Sequence, residues 1–262
     1  MKTKYSFKSI IILATIFTTF NLTCKKTEIE QLNLTGSVKG NAYIRKESVG
    51  QYTVFKQKGI KVQIENTDFS TLTDEEGEYF FDNIPSGTYN FLYSLNGYGD
   101  MKKCGVQIIG NSDYPIDLGE NESGIKPEEC ILSPISTTIA TNLTVEYNGT
   151  DVIFKTDISP QPNDTIHSGV FLCIHDNENV AFDNSLDFYP SIGWGASNTV
   201  TVTKEMLEKW VEGFNPSKTY YAIAYGYSGV YSYYFDPEKG SYVYRGINPT
   251  PTNVVSFKVP EE

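Results

Sequence analysis

Short runs of alternating apolar and polar residues make up most of the chain after residue 31. An alternation with a period of two places successive side chains on opposite faces of a β-strand. Glycine, proline, asparagine and aspartate recur between these runs, which is typical of the turns in an all-β domain. The pattern predicts strands near residues 32–38, 60–66, 71–73, 79–82, 89–95, 102–109, 114–118, 142–147, 151–158, 169–175, 199–202, 219–227, 230–235, 242–245 and 253–259.

Two segments depart from this alternation. Residues 39–58 are too long for an ordinary hairpin loop, and we expect either an extra hairpin or a mobile insertion there. Further along, Thr203 is a candidate N-cap for a short helix that ends at Gly213. Leu207 and Trp210 share one face of that helix, and we expect this face to pack against the core.

The chain divides at residues 119–135, which are rich in glycine, glutamate, serine and proline and are typical of a linker. We therefore predict an all-β protein with two β-sandwich domains in tandem, over residues 32–118 and 136–262. The aromatic content of 19 tyrosines and 15 phenylalanines, against 3 methionines, also favours strands over helices.

Residues 1–23 are predicted to be a secretory signal peptide rather than part of the fold. Three lysines precede an uncharged apolar run over residues 10–20, which is too short to span a membrane. The tripeptide that ends at Cys24 resembles a bacterial lipobox, and the resemblance implies a lipidated Cys24 at the start of a polar tether, residues 24–31. Several acyl chains would anchor the protein stably to a membrane. The alternative is a simple signal peptide that leaves Cys24 as a thiol.

Residues 73–91 carry five carboxylates among aromatic side chains, and they suit either a site of chemistry or a piece of scaffold. Asp74 is typical of the start of a tight turn, and Gly77 of a position with a positive backbone dihedral angle. A second turn is predicted at residues 83–87, which contain proline and glycine. We therefore expect scaffold, with the carboxylates in water.

Four motifs follow one another around this turn: Gly59-Ile60-Lys61-Val62, Thr73-Asp74-x-x-Gly77-x-Tyr79-x-Phe81, Ile84-Pro85-x-Gly87-x-Tyr89 and Gly97-Tyr98. Together they resemble the carboxypeptidase regulatory-like domain, a small transthyretin-like β-sandwich often grouped with carbohydrate-binding-like folds. The resemblance covers residues 32–118 apart from the insertion at 39–58, and it implies a structural domain without catalysis. In the second half, residues 169–174, 219–225 and 254–257 resemble strands of a fibronectin type III or immunoglobulin-like sandwich.

Charge and histidine content narrow the classes of function. The net charge is −11, and without residues 1–23, which hold three lysines and no acids, it is 18 − 32 = −14. An acidic body without a basic stripe is not expected to bind nucleic acid. The two histidines, His167 and His175, form no zinc motif, and the sequence carries no motif for a catalytic residue, a metal or a cofactor. We predict a non-catalytic protein, and we interpret the acidic runs at 74–78 and 176–179 as solvated turns.

Three cysteines follow Cys24. Cys104 and Cys130 are candidates for a disulfide that would pin the first domain to the linker, since the predicted compartment lies outside the cytoplasm. Cys173 lies in an apolar strand and is interpreted as a small buried hydrophobe.

Aromatic residues crowd one predicted hairpin region, residues 225–244. Because alternate residues of a strand face opposite sides, these rings cannot all enter one core, and some are expected to be exposed. The candidate ligand-binding residues are Trp194, Tyr227, Tyr231, Tyr233 and Tyr234. Exposed rings suit a sugar face or a protein partner, and the alternative is that the rings stack across strands and stabilise the sheet.

These features together resemble accessory lipoproteins of Bacteroidetes, some of which hold glycans at the cell surface. The resemblance implies a location at the outer membrane or cell surface, with a lipid anchor at Cys24. We expect a carbohydrate-binding module without a cofactor. The alternative is a structural or assembly component that binds a protein partner in the outer membrane.

Overall fold

The fold is built almost entirely of β-strands, which confirms the predicted class. The computed structural model describes residues 34–48, 51–110, 112, 114–119, 127–161, 168–183, 187–193, 198–211 and 213–260. The predicted signal peptide, Cys24 and the tether lie outside these ranges. No helix in the described ranges is long and apolar enough to cross a membrane. Residues 34–262 form one compact unit.

Three small sheets make up the first half of this unit. The strands are β1 (Thr35–Asn41), β2 (Tyr43–Ser48), β3 (Gln51–Lys56), β4 (Lys61–Ile64), β5 (Ser70–Leu72), β6 (Glu78–Pro85), β7 (Gly87–Ser94), β8 (Met101–Ile108), β9 (Ile116–Asp117) and β10 (Ile131–Leu132). The sheet orders are β6-β1-β9, β5-β4-β7-β8 and β10-β2-β3.

Aromatic contacts join the first two of these sheets into a sandwich. Alternate residues of β6 and β7 point inward, so that Tyr79 meets Tyr93 and Phe81 meets Phe91, each pair with ring centroids 5.9 Å apart. The hydroxyl oxygens of Tyr79 and Tyr93 lie 2.8 Å apart, so each buried polar group has a partner. This core is continuous and includes Val38, which lies on β1.

The insertion at residues 39–58 forms an extra hairpin, the first of the two expected outcomes. Strands β2 and β3 pair in register from Tyr43 opposite Lys56 to Ser48 opposite Gln51. Strand β10 adds to this hairpin as a parallel neighbour. As a result, the end of the segment that we expected to be a linker is buried, and Cys130, Ile131 and Leu132 belong to the first core.

Two further sheets, one hairpin and one described helix, α1 (Lys204–Trp210), make up the second half. The strands are β11 (Ile139–Asn148), β12 (Asp151–Ser159), β13 (Ser168–His175), β14 (Asp187–Gly193), β15 (Thr199–Val202), β16 (Tyr220–Tyr227), β17 (Ser232–Asp236), β18 (Ser241–Arg245) and β19 (Val255–Phe257). The sheet orders are β11-β12-β15 and β14-β13-β16-β19, and β17 pairs with β18. The backbone N–H of Met206 donates to the hydroxyl oxygen of Thr203 at 3.1 Å, which confirms the predicted N-cap.

Strand β13 is buried on both faces, which explains why its sequence is a continuous apolar run. Leu172 and Ile174 enter the core between the two sheets, which also holds an edge contact between Phe154 and Phe257. Phe171, which points the other way, enters a separate apolar cluster on the outer face of β13 and β16. This outer cluster is where the candidate site begins.

The acid-rich stretch at residues 73–91 contains the tight turn that its residues predict. One carboxylate oxygen of Asp74 accepts hydrogen bonds from the backbone N–H groups of Glu76 and Glu78, both at 2.9 Å. Gly77 has φ of +69°, and a Cβ there would lie 3.0 Å from the carbonyl oxygen of Ala42. The turn therefore requires both residue types, and Glu76 stays exposed.

The predicted disulfide between Cys104 and Cys130 does not form, and both residues are free thiols. Cys130 is fully buried beside Tyr93, and burial raises the pKa of its thiol to about 11. Cys104 instead faces the charges of Lys102 and Asp236, and burial raises the pKa of its thiol as well. The two side chains therefore lie in different surroundings, one in the apolar core and the other in a charged cluster.

We expect Asp74→Ala to lower the free energy of unfolding by about 1–2 kcal/mol, because two backbone donors lose their acceptor at a partly solvated turn. The matched control is Glu76→Ala, which removes an exposed acid from the same turn and is expected to change little. Urea unfolding of the two variants checks this prediction. Equal effects of the two substitutions would contradict the structural role of Asp74.

Candidate functional site

The hairpin of β17 and β18, here called the aromatic hairpin, carries two of the five predicted ligand-binding residues, Tyr233 and Tyr234. Its register runs from Ser232 opposite Arg245 to Asp236 opposite Ser241. A carboxylate oxygen of Asp236 accepts a hydrogen bond from the backbone N–H of Glu238 at 3.0 Å, which closes the turn. Gly240, at the end of the turn, has φ of +66°. This register places alternate residues of both strands on two distinct faces.

The inner face of the aromatic hairpin packs against the first sandwich. Tyr234 and Val243 are 7% and 4% exposed and belong to the first hydrophobic core. Ser232 is fully buried, and its hydroxyl oxygen lies 2.6 Å from that of Ser133. The guanidinium of Arg245 lies 5.8 Å from the centre of the Tyr234 ring, which suits a cation–π contact. The hairpin is therefore fixed by its inner face.

The outer face of the aromatic hairpin presents a row of rings, here called the aromatic face. Its members are Tyr231, Tyr233, Phe235, Tyr242 and Tyr244. Tyr233, Phe235 and Tyr242 are 39%, 48% and 53% exposed, although each is large and apolar. Ring centroids lie 5.6 Å apart for Tyr233 and Tyr242 and 5.5 Å apart for Phe235 and Tyr242. The face is thus a contiguous surface of mutually packed rings.

The aromatic face is rooted in the buried cluster on β13 and β16. The side chain of Phe171 is 1% exposed. Its ring centroid lies 5.4 Å from that of Tyr231, 5.5 Å from that of Tyr244 and 4.8 Å from that of Tyr227. Tyr227 is fully buried. The rings of Tyr231 and Tyr244 thus connect Tyr233 to this buried cluster, and burial raises the pKa of Tyr231.

Arg45, on the insertion hairpin, holds the start of the aromatic hairpin. One guanidinium nitrogen donates to the carbonyl oxygen of Tyr231 at 3.0 Å, and another donates to the carboxylate of Glu128 at 2.6 Å. The Arg45 and Glu128 side chains are 19% and 29% exposed. Burial raises the pKa of Glu128 although Arg45 opposes this shift. The insertion at 39–58 thus supports the candidate site.

A cavity of about 340 Å³ opens beside Tyr244. Phe182 and Tyr225 line it together with Tyr244, and their rings are in contact, with centroids 5.6 Å apart for Phe182 and Tyr225. Asp183 and Asn248 supply polar groups at this mainly apolar cavity. A concave apolar site with a few polar groups is the usual form of a small-molecule binding site.

The structure sorts the predicted ligand-binding residues into three groups. Tyr231 and Tyr233 lie on the aromatic face, Tyr227 lies buried beneath it, and Tyr234 points to the opposite side. Trp194 lies outside the described residues. The predicted ligand-binding residues did not include Phe235, Tyr242 or Tyr244. The register across the turn at residues 236–240 is the signal that would have found them, because it pairs Tyr233 with Tyr244 and Phe235 with Tyr242.

Groups suited to acid–base or metal chemistry do not converge near this site in the described part of the chain. No group of three or more histidine, cysteine, aspartate or glutamate side chains in that part is arranged so that it could hold a metal ion. The pKa values of Tyr79 and Tyr93 are raised far above their usual range by burial, and both residues lie inside the first core. Nδ1 of His175, at the end of β13, lies 3.0 Å from a carboxylate oxygen of Asp176. His167 lies outside the described residues.

Several solved structures of known proteins resemble this chain distantly in shape. No family model and no curated protein matches the chain. A candidate carbohydrate-binding protein from Bacteroides uniformis has 13% identity and a TM-score of 0.28, over 86% of this chain and 99% of that one. A DUF3823 family protein from Bacteroides ovatus has 10% identity and a TM-score of 0.28, over 86% and 100%. The major pilin SpaD of Corynebacterium diphtheriae has 11% identity and a TM-score of 0.27, over 86% and 67%. These scores assign the chain to none of these families.

The neighbours Tyr233 and Tyr234 allow a direct test of the two faces. We expect Tyr234→Ala to lower the free energy of unfolding by about 3 kcal/mol, because it leaves a cavity in the first core. Tyr233→Ala removes an exposed ring and is expected to cost less than about 1 kcal/mol. Urea unfolding measures both, and a larger loss for Tyr233→Ala would reverse the assignment of the faces.

Proposed function

We propose that this protein is a non-catalytic glycan-binding lipoprotein whose contact surface is the aromatic face. The observation that carries the proposal is the row of five contiguous rings on one side of a hairpin whose other side is buried. Apolar side chains this large are normally withdrawn from water, and a contiguous exposed group of them indicates an interaction site. The motifs that resemble a carboxypeptidase regulatory-like domain and a fibronectin type III sandwich are consistent with such an accessory protein.

Sugar recognition suits the aromatic face better than a role in stabilising the sheet. A pyranose ring presents an apolar C–H face that stacks on an aromatic ring, while its hydroxyl groups point outward toward water or polar side chains. Tyrosine fits this task because its ring is apolar and its hydroxyl is wet. The rings are also preorganised, since the inner face of the hairpin is fixed in the first core, and this lowers the entropy lost on binding.

The lipid anchor at Cys24 forms the second part of the proposal. Its support is the tripeptide that resembles a lipobox at the end of an apolar run. An anchor through several acyl chains would hold the acidic body beside a membrane surface, at the outer membrane or cell surface. In that position the protein would capture glycan chains without needing an active site.

Anchoring is tested by expressing the full chain and its Cys24→Ala variant in a Gram-negative host. We expect wild-type protein in the detergent-soluble membrane fraction with incorporated labelled fatty acid. The variant is expected to lose the label and appear in the aqueous fraction. Cys104→Ala serves as the control, because it removes a cysteine outside the signal region and should keep the label. Unlabelled wild-type protein would contradict a lipid anchor.

Glycan binding is tested by applying the purified full chain to an array of neutral and acidic glycans. We expect binding to neutral glycans that Tyr233→Ala and Tyr242→Ala weaken about tenfold or more, since loss of a stacking ring costs at least about 1.4 kcal/mol. Tyr147→Ala is the matched control, because this tyrosine on β11 is 51% exposed against 53% for Tyr242, and it should bind as wild type. Absence of binding to every glycan would refute the proposal, and equal weakening by all three substitutions would place the site elsewhere.

A further inference from the structure

The aromatic face and the neighbouring cavity form one continuous surface. Tyr244 belongs to both, because its ring centroid lies 5.9 Å from that of Tyr233 on the face and 6.3 Å from that of Phe182 in the cavity. A chain molecule that lies along the face therefore reaches the cavity at Tyr244.

The cavity is bounded by close backbone contact between the two halves of the fold. Gly99 and Gly246 both line it, and a Cβ atom added to Gly99 would lie 2.6 Å from the backbone nitrogen of Gly246. The backbone N–H of Gly99 also donates to the carbonyl oxygen of Ser133 at 2.9 Å. These contacts leave no space between Gly99 and Gly246 through which a glycan chain could continue.

The volume of the cavity suits one sugar unit. Liquid water occupies about 30 Å³ per molecule, so the 340 Å³ of the cavity corresponds to roughly eleven water molecules. A hexose unit contains roughly the same number of non-hydrogen atoms, and covalently bonded atoms need less room than separate waters. A single terminal residue therefore fits, whereas a longer segment would have to extend over the aromatic face.

The chemistry of the cavity favours a neutral sugar. The rings of Phe182, Tyr225 and Tyr244 offer apolar surfaces, and Asp183 and Asn248 supply polar groups for hydroxyls. Arg245 also lines the cavity, but its guanidinium lies over the Tyr234 ring and Asp183 approaches Lys239 at 4.0 Å. The two charged residues that line the cavity, Arg245 and Asp183, have opposite signs, and the net charge of −11 repels acidic glycans.

We propose that the cavity beside Tyr244 binds the terminal residue of a neutral glycan, whose next residues lie along the aromatic face. This inference rests on the proposed function and adds that the protein recognises chain ends rather than chain interiors. It makes Tyr244 the point at which the terminal residue meets the rest of the chain.

The test compares each polysaccharide with its own shorter fragments. Binding of the full chain to immobilised starch, xylan, mannan, galactan and levan is inhibited by the soluble polysaccharide or by a partial hydrolysate of one tenth its average length. If chain ends are bound, the hydrolysate inhibits at about a tenfold lower mass concentration, because it carries about ten times as many ends per gram. Two isoleucines of similar exposure supply the variants, Ile135 (42%) at the cavity and Ile139 (47%) on β11.

The measured quantity is the ratio of the mass concentrations at which polysaccharide and hydrolysate inhibit, which is about ten for end recognition. We expect Ile135→Trp to reduce this ratio toward one, because the larger side chain narrows the cavity. Ile139→Trp should leave the ratio unchanged. Equal inhibition per gram by polysaccharide and hydrolysate, with both variants like wild type, would overturn end recognition while leaving glycan binding in place. Failure to bind any of the five polysaccharides, together with a blank array, would overturn both proposals.

Discussion

The burial of one face of the aromatic hairpin is the constraint on which the rest of the site depends. A two-stranded hairpin alone is only marginally stable in water, and this one has no third strand paired to it among the described residues. Its stability comes from Tyr234 and Val243, which enter the core of the first sandwich, and from the hydroxyl contact between Ser133 and Ser232. With one face fixed in this way, the alternation of the strands leaves the other face in solvent.

This arrangement also explains why the two halves of the fold form one compact unit. The aromatic hairpin belongs to the second half by sequence but shares the core of the first half. Its outer rings Tyr231 and Tyr244 meanwhile contact Phe171 of the second sandwich. The insertion hairpin contributes Arg45 to the same junction. A site at such a junction is preorganised, and its rings do not need to be ordered when a ligand binds.

Alternation and turn chemistry predicted the all-β class and most of the strands, because both act locally, but no strand was predicted at β10 or β14. One or two residues determine the local backbone conformation in two examples, the turn at Asp74 and Gly77 and the helix N-cap at Thr203. The end of the segment at residues 119–135 was harder to predict, because its polar composition conceals the short apolar run at Cys130, Ile131 and Leu132. The burial of that run depends on pairing with β2, which is distant in sequence.

The sequence of the aromatic hairpin did not predict which of its two faces would be buried. The inner face contains Ser232 and Asp236 and is the more polar of the two, so a pattern of hydrophobicity alone would place it in solvent. Asp236 is nevertheless buried, with only 6% of its surface exposed. It lies near the ion pair in which Nζ of Lys102 is 3.0 Å from a carboxylate oxygen of Glu65. Although burial opposes the shift, Glu65 and the charge of Asp236 raise the pKa of Lys102. Polar partners from the first half thus make the burial of a polar face possible.

Native-state hydrogen exchange of the full chain is the most direct test of this account. If the inner face is fixed in the first core, the cross-strand amides of β17 and β18 should exchange only on global unfolding, with the same free energy as those of β7. If these amides exchange by orders of magnitude faster while β7 remains protected, the hairpin opens independently. The aromatic face would then not be a preorganised binding surface, and the central claim would fail.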